Sequence, residues 1–559
     1  MLEQKTAQAG SLTVPGTVQA VLAARIDRLD DDTKRVLQAA AVLGREFSPR
    51  LVEQMWDGAG SVSSCLKALQ TLEFLYERTS PDNPTLVFQH ALTQEVAFST
   101  LLNEHRRILH GRAVSAIEHV FRDRLGPHLD SLARHALAAD LPGRAVEYLH
   151  ASGTALFAKG AVRDSLERLD QALEMVSRLE PTAETTRRSI DLRLDLHSPL
   201  FVIGDLSRVT KLHEEAEALA RELGDHARLG RVLVRLANYS WAGAQYADAR
   251  HRSTQALTIG LRTGDRVLEV MGRYLLGEVQ HACGEYAAAI RSFRENVEGD
   301  NREVAKQRLG FTASPYVVSC GYLAWCYALL GDFRSARAFG DRAVASADAS
   351  NEPQARVYAS LLYALMLDDT GDSAQGIEWC ERARTQAEGQ ASAWIGGVYS
   401  VLGYLLVQTG RVAEGLGYQE RALAHQQRIG FRVYRPLFRR KLAEALLAAG
   451  QVDQAKHHAE AALEAATESG ERGHEAYALY ALGLATADEH PLHRARTLAE
   501  TLGMRPLVAR CHMELGTLHE RAGRLGPARE HLTIAATMFR DMDMRFRLER
   551  AEQQIKELA

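Results

Sequence analysis

Proline is scarce in this 559-residue chain, 14 in all, about half of ordinary usage. A chain so poor in helix breakers can be helical along most of its length. Cysteine is as sparse. The six, Cys65, Cys283, Cys320, Cys326, Cys380 and Cys511, are scattered without a C-x-x-C pair, which argues against a disulfide framework or a cysteine zinc site and suits buried thiols in a reducing compartment. Charge of one sign is lacking too: Lys plus Arg number 67 and Asp plus Glu 71, a formal charge of −4, so neither a general polyanion binder nor a basic membrane-surface protein is expected. The start, MLEQKTAQAG, has no basic segment leading into an apolar one, so no secretory signal is read and a cytoplasmic location is expected. Two uncharged runs, 309–331 and 389–410, are long enough to span a bilayer. Gly310, Ser314, Pro315, Ser319 and Gly321 dilute the first, and Gly396, Gly397, Ser400, Gly403, Gln408 and Thr409 the second; both read as buried helices, with no membrane partner.

The motifs of bond-breaking chemistry are also missing. No G-x-x-x-x-G-K-[S/T] occurs, so no loop offers backbone amides and a lysine to nucleotide phosphates. No H-E-x-x-H is present, and the pairs His457 with His458 and His490 with His493 lack an evident third ligand. The chain is therefore expected to be no enzyme, with no cofactor and no metal of its own. ALMLDD, ending at Asp368 and Asp369, reads as a helix with an exposed acidic end just before Gly371.

What the chain does have is a repeat. From about residue 143 a small residue, six intervening residues, a Gly before a polar residue, an apolar or aromatic residue and two small residues spaced seven apart recur. LLGEVQHACGEYAAAIRSF carries it at Gly277, Gly284, Tyr286, Ala289 and Phe293, and LAWCYALLGDFRSARAF at Ala324, Gly331, Phe333, Ala336 and Ala343. Further copies surround Gly410, Gly450 and Gly523, weaker ones Gly160, Gly204, Ala244 and Gly371, and a degenerate one Gly483. Small residues at fixed helical positions let two antiparallel helices approach, and Gly ends the first by turning left-handed. Positions 204, 244, 284, 331, 371, 410 and 450 are separated by 40, 40, 47, 40, 39 and 40 residues, which leaves about 17 residues per helix, or ~25 Å. HEAT and armadillo arrays have a similar period, but the Gly-x-aromatic-x-x-Ala turn favours a tetratricopeptide-like array of nine or ten hairpins.

Residues 17–125 read differently: helices in TVQAVLAARIDRL, DDTKRVLQAAAVLG, SPRLVEQMW and SVSSCLKALQTLE, then strands in FLYERT and TLVFQH around the turn SPDNP. This is a winged-helix pattern, with Asp31 or Asp32 expected to cap the second helix and Ser48 the third. Over residues 1–125 there are 14 basic against 15 acidic residues, and Lys67 is the only cation of the would-be recognition helix 62–73; a groove reader needs more. The fold expected is all-α, a winged-helix-like domain (17–125) after a short remnant linker (1–16), then a tetratricopeptide-like α-solenoid (126–559).

VPGTVQAVLAARIDRLDDDTKRVLQAAAVLGREF, FQHALTQEVAFSTLL, RRILHGR, LARHALAADLPGRAVEYLHASGTAL and SLERLDQALEM together resemble the C-terminal half of bacterial STAND/AAA-type signal-transduction ATPases, many of which carry a class III adenylate/guanylate cyclase domain. The match covers residues 15–180 and is generic beyond. The resemblance implies a regulatory module whose ATP-binding and cyclase domains are missing or supplied by a separate chain, so that this sequence is a truncated relative, an alternative start or a stand-alone descendant. It also implies that His90, in FQHAL, touches the nucleotide of the resembled proteins; read from the residues, His90 caps the wing strand or packs on helix 91–103. Arg106, Arg107 and His110 read as a solvated or interdomain face.

In such arrays the first helix of each hairpin lines the concave face. Counting back from the turns places Trp241, Tyr274, Trp325, Tyr358 and Tyr404 on that wall, with Glu278, His281 and Arg440 as polar edges. A groove for a protein or peptide partner follows, since aromatics give large contact area at modest entropic cost; the same residues could instead fill the interhelix core. The alternative function is a winged-helix transcription regulator with a repeat-based effector sensor.

Overall fold

The computed structural model describes residues 16–78, 84–311, 313–388 and 392–558. The chain forms two compact units, Met1–Leu212 and His213–Ala559. Most of the expected linker and most of the SPDNP turn lie outside the described residues.

The first unit opens with α1 (Gly16–Asp27), α2 (Asp31–Leu43), β1 (Glu46–Phe47), α3 (Pro49–Met55), α4 (Val62–Thr71), β2 (Leu75–Arg78) and β3 (Thr85–Phe88). The strands form an antiparallel sheet in the order β1-β3-β2, with Phe47 opposite Leu86 and Leu75 opposite Phe88. β1 is too short for its two residues to show an alternating pattern. The cap of α2 is Asp30, one residue before the expected positions: its backbone is extended and its carboxylate accepts from the Thr33 amide at 2.9 Å. Ser48 precedes α3 without a side-chain cap bond. Val36, Leu37, Leu69 and Phe88 are fully buried between helices and sheet.

α5 (Ala91–Ser99), α6 (Asn103–Val120), α7 (Leu129–Ala138), α8 (Pro142–Ala158), α9 (Val162–Ser177), α10 (Ala183–Asp195) and α11 (His197–Ile203) follow, and the division between the units falls inside α12 (Leu206–Leu223). It lies well beyond residue 125 because α6 packs both on α3 and on α7, so the sheet-bearing segment and the first helical pairs share one core. His110 is buried there, its Nδ1 2.8 Å from Nδ1 of His135, rather than on a solvated face.

The second unit is built of hairpins: α13 (His226–Ala242) with α14 (Tyr246–Thr263), α15 (Arg266–Ala282) with α16 (Tyr286–Glu298), then, after the short α17 (Arg302–Ala305), α18 (Pro315–Leu330) with α19 (Phe333–Ser350). α20 (Pro353–Thr370) pairs with α21 (Ser373–Glu388), α22 (Ile395–Gln408) with α23 (Val412–Ile429), α24 (Arg435–Ala448) with α25 (Val452–Ser469), α26 (Arg472–Thr486) with α27 (Glu489–Leu502) and α28 (Arg505–Arg521) with α29 (Leu525–Asp541). α30 (Arg545–Glu557) packs on α29. These are tetratricopeptide-like helical repeats. The turns fall where the period places them, with left-handed backbone at Gly284, Gly331, Gly371, Gly410, Gly450 and Gly523 and at Ala244 with φ 57°. The one long interval, 47 residues, holds α17 and the irregular stretch after it. Gly483 is an exception: it lies inside α26, pressed on Leu492, and Ala487 makes the turn at φ 49°.

The repeats wind back onto themselves. The turn of the first hairpin meets the start of α26 through Tyr246 and Glu471, that of the second meets the start of α28 through Tyr286 and Met504, and Gly331 of the third lies against Met542 before α30. Six hairpins therefore complete one turn, and the side chains that point toward the axis pack on one another. Among the described residues no helix is long and apolar enough to cross a membrane.

Candidate site on the axis of the second unit

The eight residues expected on a concave wall do converge, but into a closed interior. Trp241, Tyr274, Glu278, His281, Trp325, Tyr358, Tyr404 and Arg440 are between 0% and 6% exposed, so they form no open groove in this state. The first helices face inward as counted; closure after six hairpins covers them.

One cluster centres on Glu278. Its Oε1 accepts from the hydroxyls of Tyr274 at 3.1 Å and Tyr358 at 3.4 Å, and Tyr358 lies 3.5 Å from the hydroxyl of Tyr322, which bonds in turn to that of Tyr434. Burial pushes the Glu278 carboxyl up to about 8 even though the tyrosine hydroxyls favour its charge, so it is protonated at neutral pH. Oε2 has no partner. His281, one turn on, packs against Trp325 and Tyr322 with ring centroids 4.3 and 5.0 Å away. Burial pulls it down to about 3, and neither ring nitrogen has a hydrogen-bond partner. Trp241 lies against Trp394 and Tyr434 with its indole N–H unpartnered.

A second cluster is ionic. Glu444 accepts from Tyr404 at 2.8 Å, Arg440 at 2.7 Å and Arg510 at 3.3 Å. Burial opposes its charge, but Arg440 and Arg510 outweigh that and hold the carboxyl at about 2. Lys441 donates to Asp368 at 2.5 Å and sits over the Tyr404 ring at 4.1 Å. Asp368 is thus the partner of a wholly buried lysine rather than part of an exposed acidic end. Between the clusters lies a small cavity of mixed lining, its polar side formed by His281, Tyr286, Asp368, Arg440, His474 and Tyr477 and its apolar side including Trp325, Leu365 and Leu437.

Sequence reasoning missed Tyr322, Tyr434, Lys441, Glu444, Glu471, His474 and Arg510. The i,i+4 spacing of Arg440 and Glu444 was a usable signal. Tyr434 was not: it lies in a loop, outside any periodic pattern. His90 is exposed just before α5, with no side-chain cap bond, and that helix ends at Ser99 rather than continuing to 103. Among the described residues no three His, Cys, Asp or Glu side chains are placed to hold a metal ion.

No family model matches the chain. A curated relative, an uncharacterized protein of Rhizobium meliloti (strain 1021), is 25% identical over 210 residues, 36% of this chain and 20% of the relative. The match thus spans a fifth of that protein's length. Among solved structures, a Rap protein complexed with competence and sporulation factor is 16% identical with TM-score 0.42, covering 68% of this chain and 100% of its own. The Cut9–Hcn1 assembly of the APC/C is 14% identical with TM-score 0.44, covering 90% and 96%. A signal transduction ATPase with numerous domains and a tetratricopeptide repeat sensor, from Pyrococcus horikoshii, is 10% identical with TM-score 0.28, covering 99% and 66%. None of these likenesses bears on the chemistry of the site.

Proposed function

We propose that the chain is a non-catalytic regulatory and protein-interaction module, in which a winged helix precedes a repeat array that receives a protein or peptide partner along its axis. The observation that carries this reading is the set of buried polar atoms left without partners on that axis: Oε2 of Glu278, both nitrogens of His281 and the indole N–H of Trp241. Each such group costs about 1–3 kcal/mol when left unpaired, and a passive spacer has no reason to keep them. Function is where a fold tolerates such violations. The order α2-β1-α3-α4-β2-β3 supports the winged-helix reading, and an exposed His90 suits a contact with a nucleotide-binding domain supplied elsewhere, as the resemblance to signal-transduction ATPases implies. Cofactor binding by this chain itself is not part of the proposal. Nor is nucleic acid, because Lys67 is the only cation on α4 and base reading needs several donors.

The test is selection of peptides from a random library on the full chain, followed by hydrogen exchange of the complex. Binders that protect the backbone of α15, α18, α22 and α24 support an axial site. An empty selection, or protection confined to the outer helices, overturns it.

A further inference from the structure

Beside the axis, the start of α22, the end of α23, the 430–434 loop and α24 enclose two adjoining cavities that share Gln426 and Phe431. The inner one, about 40 Å³, has almost wholly apolar walls that include Trp325, Tyr358, Leu361, Trp394, Phe438 and the loop residue Tyr434. That volume holds a few heavy atoms, such as one branched aliphatic group. The outer one, about 250 Å³, is lined by Arg432, Arg435 and Arg439, and no carboxylate lines it.

Two features set this place apart. Three arginines face one cavity with no carboxylate beside them, Arg432 and Arg435 exposed and Arg439 half-buried, and among the described residues none of the three forms an ion pair. Arg439 reaches only His458, at 3.4 Å. Burial, then the charge of Arg435, both work against its protonated state, with Glu464 acting the other way. The α24 N-terminus, at Arg435, adds the positive end of a 14-residue helix. Independently, the amide nitrogen of Gln426 and Nδ1 of His425 are buried without partners, each residue being 7% exposed, and both residues line the inner cavity. Tyr434, between the cavities and the axis, is held at φ 61°, a conformation that costs a non-glycine residue energy. The loop is anchored by the Arg432 and Val433 amides, which both donate to the Ala242 carbonyl, at 2.9 and 3.1 Å.

We propose that these cavities form one site for a carboxylate attached to a compact apolar group, the apolar part seated among Trp325, Tyr358 and Tyr434 and the carboxylate held by Arg432, Arg435 and Arg439 beside the Gln426 amide. Guanidinium forks match a carboxylate with two parallel bonds, and the three arginines offer them where no carboxylate of the chain lines the cavity. The chemistry is shared by a free branched-chain acid and by the C-terminal residue of a peptide. The inference rests on the binding-module reading and names what the module takes.

Calorimetric titration of the full chain tests it, using N-acetyl-L-leucine, its amide N-acetyl-L-leucinamide, and the peptide Gly-Ser-Gly-Ser-Leu with a free or amidated C-terminus. Each free acid is expected to bind at least tenfold more tightly than its amide, and Arg432→Gln with Arg435→Gln, both exposed and outside the core, to remove that preference without changing thermal unfolding. A peptide acid tighter than the free amino acid by tenfold or more identifies a peptide C-terminus as the source; equal affinities identify a small acid. Acids and amides that bind alike, or a double variant that keeps the preference, overturn the proposal. If no probe binds while library peptides still occupy the axis, this inference fails and the binding-module reading stands; if neither binds, both fail.

Discussion

The hydroxyl of Tyr246, at the start of α14, donates at 2.8 Å to the carboxylate of Glu471, which opens α26 225 residues later. Glu471 is wholly buried, and its other oxygen has no hydrogen-bond partner. This bond joins the first hairpin to the seventh and so reports directly on closure of the helical turn. Tyr246→Phe removes this donor and keeps the ring, leaving the same oxygen only the Ser469 hydroxyl, 3.3 Å away. Leaving a buried carboxyl short of a partner is expected to cost about 1–3 kcal/mol, read by urea denaturation, with faster amide exchange at 243–246 and 470–474. Unchanged exchange at both places would mean that the two hairpins do not depend on each other.

Two carboxyls that burial raises to about 8, Glu278 and Glu471, give the second unit a pH dependence of definite sign. Glu278 and Glu471 ordinarily titrate near 4.5 and are pushed up to about 8 in the folded chain. Between those values the folded state keeps protons that the unfolded state has lost. Each group therefore contributes stability that is complete below about 4.5 and gone once pH has risen through 8. The slope is on the order of 1.4 kcal/mol per pH unit per group. His281, pulled down to about 3, acts in the opposite sense, losing stability as pH falls below 6.5, and so adds nothing to the change between pH 7 and 8.5. Glu278→Gln, which imitates the protonated acid, should flatten the fall in stability across that window by roughly 1 kcal/mol per unit. A variant as steep as the parent would place the titration elsewhere.

Turns and pairing were legible because left-handed glycine recurs at a fixed interval, and even Ala244 kept its place in the series. What lay beyond reach was long-range. Whether Tyr358 or Tyr404 faces solvent depends on how many hairpins complete a turn, which follows from small rotations per repeat rather than from any local motif. The inward aromatics could therefore be named while their surroundings could not. Asp368 shows the same limit: its partner Lys441 is 73 residues away, and an acidic pair at a helix end read naturally as solvated. In the first unit the error at the cap of α2 was one residue among three consecutive aspartates, Asp30 to Asp32, a choice decided by backbone conformation rather than by residue type.

The Glu444 cluster predicts an asymmetry between its members. The carboxylate answers two guanidinium groups and a phenol at once, so Glu444→Gln leaves Arg440 and Arg510 buried with no negative partner there. Breaking a buried pair from one side typically costs about 3–5 kcal/mol. Arg440→Met removes a cation but leaves Glu444 still paired with Arg510, and should cost less. Guanidinium unfolding of both variants decides it, and equal losses would indicate that the three side chains do not act as one network.

Close packing within a hairpin can be tested on one helix pair with its own control. Gly403 of α22 faces Gly415 of α23 so tightly that a Cβ on Gly403 would lie 2.5 Å from the Gly415 carbonyl oxygen. Backbone, unlike a flexible side-chain end, cannot swing aside, so Gly403→Ala must push the helices apart and is expected to cost about 1–3 kcal/mol. Gly417, two residues along α23, has nothing within 4 Å of the same atom. There Gly417→Ala gains helix propensity without a clash and should stabilise by about 0.5–1 kcal/mol. Opposite signs from the same chemical change, measured by thermal unfolding, would assign the effect to helix separation; a shared sign would assign it to glycine's own flexibility and remove close approach as the reason for small residues in the repeat.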